Sequence, residues 1–305
     1  MLKRPKSGCI HYGDFRIYPY PKVTSTNDLL IKAGKEGAKS GTVVIAKQQT
    51  AGKGSKGRSF YSPFSGLYMS VLVRPGSSAN ASIESTGRPI CPKLSPEEAV
   101  LITPATACAV ADAIQNYIYK KVGIKWVNDI YLNNRKVAGI LTESCVDSAG
   151  DRFYVIGIGV NMFPPEGGFP KEFAYKTTTV LKRKYDPMDL VLLRDDILEN
   201  LITRLYQIPG RKFMQDYGRR ILNMGDAVIV TPCNGDKPYL ALAYGLDKDA
   251  HLVVYTANDE KVVLNSEDVS IVPTKLSNYS KILRNLHHDT YYFDISSRRN
   301  NNDSE

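Results

Sequence analysis

The sequence predicts an α+β protein, in which a β-sheet with neighbouring helices is followed by a small β-barrel. Nearly continuous apolar runs at 42–46, 67–73 and 153–161 are typical of buried strands, and helical patterns lie between and after them. From Met224 onward the pattern changes to short strands separated by turns, which indicates the barrel. The strands predicted there are 226–230, 239–244, 251–255 and 268–272.

The length of 305 residues suffices for one large domain and a smaller one. We predict an extension over 1–22, a main domain over 23–222, a small domain over 223–273 and a polar, disordered tail over 274–305. The net charge of +9 favours an anionic partner, which composition alone leaves open among nucleic acid, a nucleotide and an acidic protein.

Composition also excludes several classes of protein. No run approaches 18 apolar residues, so no membrane span is predicted, and the N-terminus lacks the apolar stretch of a signal peptide. We therefore expect a cytoplasmic protein. The five cysteines are scattered, without a Cys-x-x-Cys, and the four histidines form no metal-binding pattern. Neither a disulfide framework nor a zinc site is indicated.

Three helices are predicted from their N-terminal signals. Ser25-Thr26-Asn27 precedes an apolar run and is typical of a helix cap, with Gly34 or Gly37 ending that helix. Ser95-Pro96-Glu97-Glu98 fits a capping box, in a helix that Pro104 should kink or restart. Asp186-Pro187 precedes leucines at helical spacing. Residues 211–218 are expected to extend the helical layer, and the polar insert 75–93 to form a surface loop.

The middle of the chain predicts a hairpin and a central strand. We expect a strand over 124–132, a turn over 133–136 and a return strand over 137–143. In the following run Gly157 and Gly159 alternate, so one face of that strand lacks side chains there. A ligand or another backbone can approach such a face closely.

The most informative stretch is the glycine-rich loop between the first two apolar runs, residues 49–58. Its glycines free the backbone to approach a ligand, and its lysines and arginine suit a phosphate. The literal Gly-x-Gly-x-x-Gly match to a dinucleotide site is weak, since Pro63 follows where a helix should open. The P-loop pattern fails because no Gly-Lys-Ser/Thr closes it. A mobile connection with solvated charges is the remaining alternative.

Four polar clusters each lie beside an apolar element. They are Ser25-Thr26-Asn27, Gln49 with the glycine loop, Lys125-Trp126-Val127-Asn128-Asp129 with Lys136, and Asn161. Singly, each cluster is explained by a cap, a turn or an exposed hairpin residue. Polar residues at strand ends that face one cleft are how open sheets build ligand sites, so together they predict such a site.

In this order the motifs resemble those of the biotin protein ligase family. The matching segments, between residues 24 and 161, are Ser-Thr-Asn, Gln-Thr-Ala-Gly-Lys-Gly-x-x-Gly-Arg, Ser-Pro-x-x-x-Leu-Tyr-x-Ser, Lys-Trp-x-Asn-Asp-x-Tyr-Leu, Arg-Lys-Val-Ala-Gly-Ile-Leu-x-Glu and Gly-Ile-Gly-x-Asn. The resemblance implies a mixed sheet flanked by helices, of the class II aminoacyl-tRNA-synthetase-like kind, over 23–222. It also implies an SH3-like domain over 223–273.

The resemblance further implies an ATP-dependent ligase. Biotin is activated as biotinyl-5′-AMP and then transferred to a lysine of a biotin carboxyl carrier protein domain. ATP, Mg²⁺ and biotin are needed, and no tightly bound cofactor is implied. The chain ahead of the motifs is too short for the winged helix of bifunctional members, so no DNA-operator binding is inferred.

The family's functional positions carry over residue by residue. Biotin-binding positions match Ser25, Thr26, Asn27, Gln49 and Lys136. Lys136 is implied to bridge the biotin carboxylate and the α-phosphate, with Arg58 and Asp129 as the other catalytic positions and Asp129 near Mg²⁺ or the phosphates. Nucleotide and phosphate positions match Gly52, Lys53, Gly54, Ser55, Lys56, Gly57, Arg58, Lys125, Asn128 and Asn161.

Three positions depart from the family pattern. Ser55 stands where many members have an arginine that helps to hold the adenylate, and Lys53 and Lys56 are point charges and not planar forks. Phe60 replaces a common tryptophan and Val127 a common proline, and both remain apolar.

Two alternative functions stay open. Lipoate ligases use the same adenylate chemistry, but the Ser-Thr-Asn motif, Lys-Trp-x-Asn-Asp and the C-terminal barrel favour biotin. A nucleic-acid-binding protein is suggested by the charge and the small barrel, although the barrel lacks an obvious stripe of basic and aromatic residues.

Overall fold

The computed structural model describes residues 8–77, 87–222 and 224–273. Within these ranges the chain forms two compact units. The first unit reaches Met224 and includes the segment Leu246–His251, and the second contains the other described residues from Gly225 onward. The predicted polar tail and part of the 75–93 insert lie outside the described residues.

The strands of the described residues form two sheets. They are β1 (Ile10–Tyr12), β2 (Phe15–Tyr20), β3 (Thr42–Ala46), β4 (Leu67–Val73), β5 (Gly123–Lys125), β6 (Asp129–Leu132), β7 (Arg135–Val146), β8 (Arg152–Val160), β9 (Ala227–Pro232), β10 (Tyr239–Leu246), β11 (Leu252–Thr256), β12 (Lys261–Leu264) and β13 (Val269–Pro273). The first sheet has the order β1-β2-β3-β4-β8-β7-β6-β5, and the second β12-β11-β10-β9-β13.

The α-helices found in the described residues belong to the first unit. They are α1 (Thr26–Lys35), α2 (Pro96–Ala99), α3 (Ile102–Gln115), α4 (Lys171–Ala174), α5 (Pro187–Tyr206) and α6 (Met214–Arg220). Within the described part of the chain, no helix is both long enough and apolar enough to cross a membrane.

The large sheet is mixed, as the resemblance implied. Strands β2 and β3 run parallel, whereas the other neighbouring pairs of this sheet are antiparallel. The α+β prediction with a mixed sheet and flanking helices is confirmed. The five-stranded sheet of the second unit fits the predicted small barrel, whose SH3-like form stays a prediction.

Helices cover both faces of the large sheet. Neighbouring residues of a strand point to opposite faces, so the contacts of two adjacent β7 residues show which helix lies on which face. On β7, Thr142 bonds to Thr103 of α3, while Glu143 bonds to Asn27 of α1. The face that carries Glu143 is the one on which α1 lies. Gly139, Leu141 and the two β8 glycines lie on this face as well.

Helix α1 begins where the sequence predicted, with the Ser25 hydroxyl accepting from the Asp28 amide. Its apolar side buries Leu30 and Ala33 against β3, β4 and β8. At Gly34 an added Cβ would lie 2.3 Å from the ring of Phe153, so only glycine allows this close approach. The packing holds the first turn of α1 firmly over the sheet.

The other predicted helices are also present. The capping box of Ser95 and Glu98 forms, and the helix restarts as α3 two residues before Pro104. Asp186 caps α5, with its carboxylate accepting from the amide of Met188 at 2.9 Å. The helix expected over 211–218 begins later, at Met214.

The predictions for residues 124–143 need correction. The run 124–132 is not one strand, because the chain turns at 126–128 and β5 pairs antiparallel with β6. The turn after β6 is tighter than predicted: Asn133 and Asn134 take φ of 51° and 58°, and β7 already begins at Arg135. Asparagine tolerates this left-handed conformation, which a two-residue hairpin requires.

Two regions contain strands that the sequence did not reveal. Residues 1–22 showed no clear period, yet β1 and β2 add to the large sheet beside β3. Strand β12 lies between two predicted strands of the second unit and pairs with β11. Strands β1 and β12 have three and four residues, so periodicity had few residues to act on there.

Candidate active site

The candidate site is a cavity on the α1 face of the large sheet, built from three segments. The first turn of α1 supplies Ser25, Thr26 and Asn27, the glycine-rich loop supplies one wall, and the β6–β7 hairpin supplies the other. Its predicted lining residues are Ser25, Thr26, Asn27, Gln49, Lys53, Gly54, Ser55, Arg58, Asn128, Asp129 and Lys136. The structure therefore brings together most of the side chains that the motifs singled out.

Five predicted residues do not line this cavity: Gly52, Lys56, Gly57, Lys125 and Asn161. Asn161 follows β8 as a buried residue whose backbone pairs with Val137 and Val180. Lys125 is half-buried at the end of β5, and it interacts electrostatically with Asp129, Arg58 and Lys136.

The floor of the cavity is glycine-rich, as the sequence predicted, but side chains of the protein lie over it. A Cβ added at Gly157 would lie 2.3 Å from Oδ1 of Asn27. A Cβ at Gly159 would lie 2.7 Å from the ring of Phe60, whose edge is also near Gly139. These glycines seat Asn27 and Phe60 at the site, and Phe60 was not among the predicted site residues.

The end of the cavity at α1 is a network of uncharged polar groups. The Gln49 carbonyl oxygen accepts from the Thr26 amide at 2.8 Å and lies 3.1 Å from the Thr26 hydroxyl. The Gln49 amide nitrogen donates to Ser62 at 3.0 Å. Beneath this layer, Ser70 Oγ lies 2.8 Å from Thr26 Oγ1 and 2.5 Å from Asn27 Oδ1.

The opposite end of the cavity is cationic. The Lys136 ammonium lies 2.6 Å from an Asp129 carboxylate oxygen and 5.6 Å from the centre of the Phe60 ring. Arg58 folds back onto the loop, donating from Nη2 to the Ser55 hydroxyl at 2.9 Å and from Nε to the Ser55 carbonyl at 3.1 Å. Asn128 is tied by its amide to the Ile140 carbonyl at 2.7 Å.

Charge and burial shift the pKa values of groups around this end. Burial lowers the pKa of Lys125, and the neighbouring cations Arg58 and Lys136 lower it further against the opposing effect of Asp129. Burial and the Asp129 charge raise the pKa of Tyr131 to about 12. A concentration of positive charge that is short of counter-ions is a site where an added anion binds favourably.

Lys53 has a partner that the sequence did not indicate. Its ammonium pairs with the carboxylate of Asp28 in the first turn of α1, and this hydrogen bond raises the pKa of Lys53. In this structure Lys53 therefore faces an acid of α1. Both side chains are largely exposed, so the pair contributes little stability.

Four residues of the site had no role assigned from the sequence. Ser62, Ser70 and Glu143 belong to the polar network, and Phe60 lies over the glycine floor. Ser62, Ser70 and Glu143 occupy the fixed polar positions of two of the quoted motifs, which was the available signal.

A second cavity of about 740 Å³ is lined mainly by apolar side chains of β2, β3 and α5. The first cavity is smaller, about 100 Å³, but it joins neutral donors and acceptors at one end to cations at the other. It suits a ligand with an uncharged polar head and an anionic end, together with a further anion.

The chain is similar to known proteins over most of its length. The model of the biotin/lipoate A/B protein ligase family matches residues 20–161. The bifunctional ligase/repressor BirA of Bacillus subtilis is 30% identical over 266 residues, which are 84% of this chain and 74% of that protein. The biotin--[acetyl-CoA-carboxylase] ligase of Mycobacterium tuberculosis is 28% identical over 249 residues, 80% of this chain and 85% of that protein.

Among solved structures, the biotin protein ligase from Aquifex aeolicus in complex with biotin and ATP is similar, with a TM-score of 0.65. It is 22% identical, and the match covers 85% of this chain and 99% of that one. At this identity the likeness concerns the fold.

Proposed function

Because the chain belongs to the biotin protein ligase family, we propose that it activates biotin with ATP and transfers it to a carrier protein. A carboxylate oxygen of biotin attacks the α-phosphorus of ATP and forms a new O–P bond, while the bond from the α-phosphorus to the bridging oxygen breaks and pyrophosphate leaves with its electron pair. A lysine amine of a biotin carboxyl carrier domain then attacks the carbonyl carbon, and AMP leaves with the electron pair.

One observation carries the proposal: the Lys136 ammonium lies over Gly139 of the floor, in the same cavity as Thr26 and Gln49. An ammonium in that position can contact the carboxylate of a ligand seated against Thr26 and Gln49 and a phosphate held by the glycine loop. Both reactants are anions, so bringing them together requires charge neutralisation more than a proton transfer.

The uncharged end suits the head group of biotin. A cyclic urea has two N–H donors and a carbonyl acceptor, and the hydroxyl and amide groups of Ser25, Thr26, Asn27 and Gln49 offer both kinds of partner. The half-buried cation Lys125, with Arg58 and the backbone amides of 52–58, would receive the phosphates. Asn128 would lie near the nucleoside.

The site offers Mg²⁺ a carboxylate from the protein. Among the described residues that line the cavity, Asp129 offers a carboxylate, and that carboxylate already contacts Lys136. Mg²⁺ commonly takes one or two protein carboxylates and completes its shell with water and phosphate oxygens. Bound there, the ion would help to neutralise the phosphate charges.

Ligand entry requires the cavity to open. Its volume of about 100 Å³ is below the roughly 300–1,000 Å³ of sites for drug-sized ligands. The glycine-rich loop and Phe60 cover the floor and are the parts that would move. In this proposal residues 23–222 form the catalytic domain and 223–273 the SH3-like domain.

Radiolabelled biotin tests the proposal directly. Incubated with ATP and a purified carrier domain, the protein should transfer label to the carrier, and omission of ATP should prevent the transfer. Transfer of lipoate in place of biotin would identify the related lipoate ligase activity. Absence of transfer together with salt-sensitive binding to RNA or DNA would contradict the proposal.

A further inference from the structure

Glu143 lies behind the uncharged end of the cavity and is not among the residues that line it. On β7, its carboxylate accepts from the Asn27 side-chain amide at 2.7 Å. The same nitrogen lies 3.4 Å from the carbonyl of Leu141. Both neighbours can only accept, so the Asn27 amide is fixed with its nitrogen toward β7 and its oxygen toward Ser70.

The direction of the next hydrogen bonds follows by elimination. Oδ1 of Asn27 has no hydrogen to give, so the Ser70 hydroxyl must donate its single hydrogen across the 2.5 Å contact. In the 2.8 Å contact between Ser70 and Thr26, the Ser70 oxygen can then only accept. The donors of Thr26, Ser70 and Asn27 can thus all be directed toward one end of this chain of hydrogen bonds, where the half-buried Glu143 carboxylate accepts.

This direction determines what Thr26 presents to the cavity. With its hydrogen directed at Ser70 or at the Gln49 oxygen 3.1 Å away, the Thr26 hydroxyl shows a lone pair to a ligand. A lone pair suits an N–H donor of the ligand. Thr26, Asn27 and Ser70 are each less than 5% exposed, so these hydrogen bonds are nearly sealed from water. Solvent therefore cannot reverse their direction.

We propose that Glu143 is a positioning residue that acts through Asn27 and Ser70 to make Thr26 a hydrogen-bond acceptor for the ureido N–H of biotin. The inference rests on the proposed function and deepens it. The dithiolane ring of lipoate has no N–H group, so the same device disfavours lipoate. A glutamine at 143 can donate to a flipped Asn27 amide. The donor and acceptor roles of Asn27, Ser70 and Thr26 can then all reverse.

The test compares Glu143→Gln with the wild-type enzyme in biotin-dependent exchange of pyrophosphate into ATP. The KM for biotin should rise about five- to tenfold, the loss expected for one hydrogen bond. The KM for ATP and kcat at saturating biotin should stay near their wild-type values, which a general structural defect would not allow. Glu172→Gln, at an exposed position of α4, is the matched control and should change neither constant.

Two further measurements show whether the effect passes through Thr26. In a Thr26→Val background, which lacks the hydroxyl, Glu143→Gln should have little additional effect on the KM for biotin. A biotin analogue methylated on the ureido nitrogen that faces Thr26 should likewise lose its sensitivity to Glu143→Gln. The inference alone would be overturned if Glu143→Gln raised the KM for biotin equally in the wild-type and Thr26→Val backgrounds. An unchanged KM for biotin in Glu143→Gln would also overturn it. No biotin-dependent exchange by the wild-type enzyme would overturn the proposed function as well.

Discussion

The ammonium nitrogen of Lys136 lies 2.6 Å from a carboxylate oxygen of Asp129. This ion pair joins the two strands of the β6–β7 hairpin beside Gly139. The pair is partly exposed, with 30% and 20% of the two side chains accessible. It holds the lysine over Gly139 of the floor, while leaving its side chain partly accessible to an incoming anion.

Replacement of Lys136 should abolish formation of the adenylate and leave the fold intact. Lys136→Ala removes the cation between the two anions, and Lys136→Arg should also be poor, because a planar fork does not replace a compact ammonium. Biotinyl-5′-AMP made from labelled ATP measures the step. Lys171→Ala, an exposed lysine of α4, is the control. A normal rate of adenylate formation in Lys136→Ala would refute the role of this lysine.

The glycine-rich loop should be protected by ligands. Residues 52–58 carry several glycines and closely spaced positive charges that repel one another until an anion arrives. Cleavage by trypsin after Lys53, Lys56 and Arg58 should therefore fall sharply when biotin and ATP are added together. Cleavage at Lys171 serves as the internal control. Equal cleavage of the loop with and without ligands would count against loop closure.

Gly157→Ala should impair biotin binding, because the new Cβ would lie 2.3 Å from Oδ1 of Asn27 and displace the amide that bonds to Glu143. Loss of a hydrogen bond to a charged group predicts a KM for biotin about ten- to a hundredfold higher. The matched control is Gly218→Ala in α6, where an added Cβ meets nothing within 4 Å. That variant should bind biotin normally and gain about 0.5–1 kcal/mol of stability. An unchanged KM in Gly157→Ala would show that Asn27 is dispensable.

Lys125→Met should stabilise the protein without ligands and weaken ATP binding. The folded-state pKa of Lys125 lies below its ordinary value of 10.5, so between these values the unfolded state binds more protons. The free energy of unfolding of the wild type should then rise as the pH increases through the lowered pKa toward 10.5. Denaturant titrations at several pH values should show this contribution lost in Lys125→Met. A less stable variant at neutral pH would contradict the account.

Ser55→Arg should slow the release of biotinyl-5′-AMP. The serine here accepts hydrogen bonds from Arg58, whereas an arginine could donate two parallel bonds to a phosphate. A charge-assisted hydrogen bond of about 1.5–3 kcal/mol corresponds to a roughly ten- to more than a hundredfold lower dissociation constant. Stopped-flow release of the adenylate measures the effect, and biotinylation of a bystander protein should fall with it. An unchanged release rate would mean that Lys56 already supplies this contact.

Much of the fold followed from local sequence signals. The apolar runs at 42–46, 67–73 and 153–161 became β3, β4 and β8 almost residue for residue, because a central strand is buried on both faces and reads as a continuous apolar run. The caps at Ser25 and Asp186 also determined where helices begin. These signals depend on neighbouring residues alone.

Features that depend on contacts between distant segments could not be predicted from the sequence. Residues 124–132 were predicted as one strand, and only the pairing of β6 with both β5 and β7 reveals the break at 126–128. The ion pair of Lys53 with Asp28 joins residues 25 positions apart. Glu143 and Asn27 are separated by 116 positions, so the role of the glutamate appears only when β7 and α1 come together.

Exchange of labelled pyrophosphate into ATP, measured with biotin and with lipoate in parallel, tests whether this site forms a biotin adenylate. We expect rapid exchange that requires biotin, negligible exchange with lipoate, and none with either acid in Lys136→Ala. Exchange that is as fast with lipoate as with biotin would contradict the assignment of the uncharged pocket to a cyclic urea. No exchange with either acid would contradict adenylate chemistry at this site.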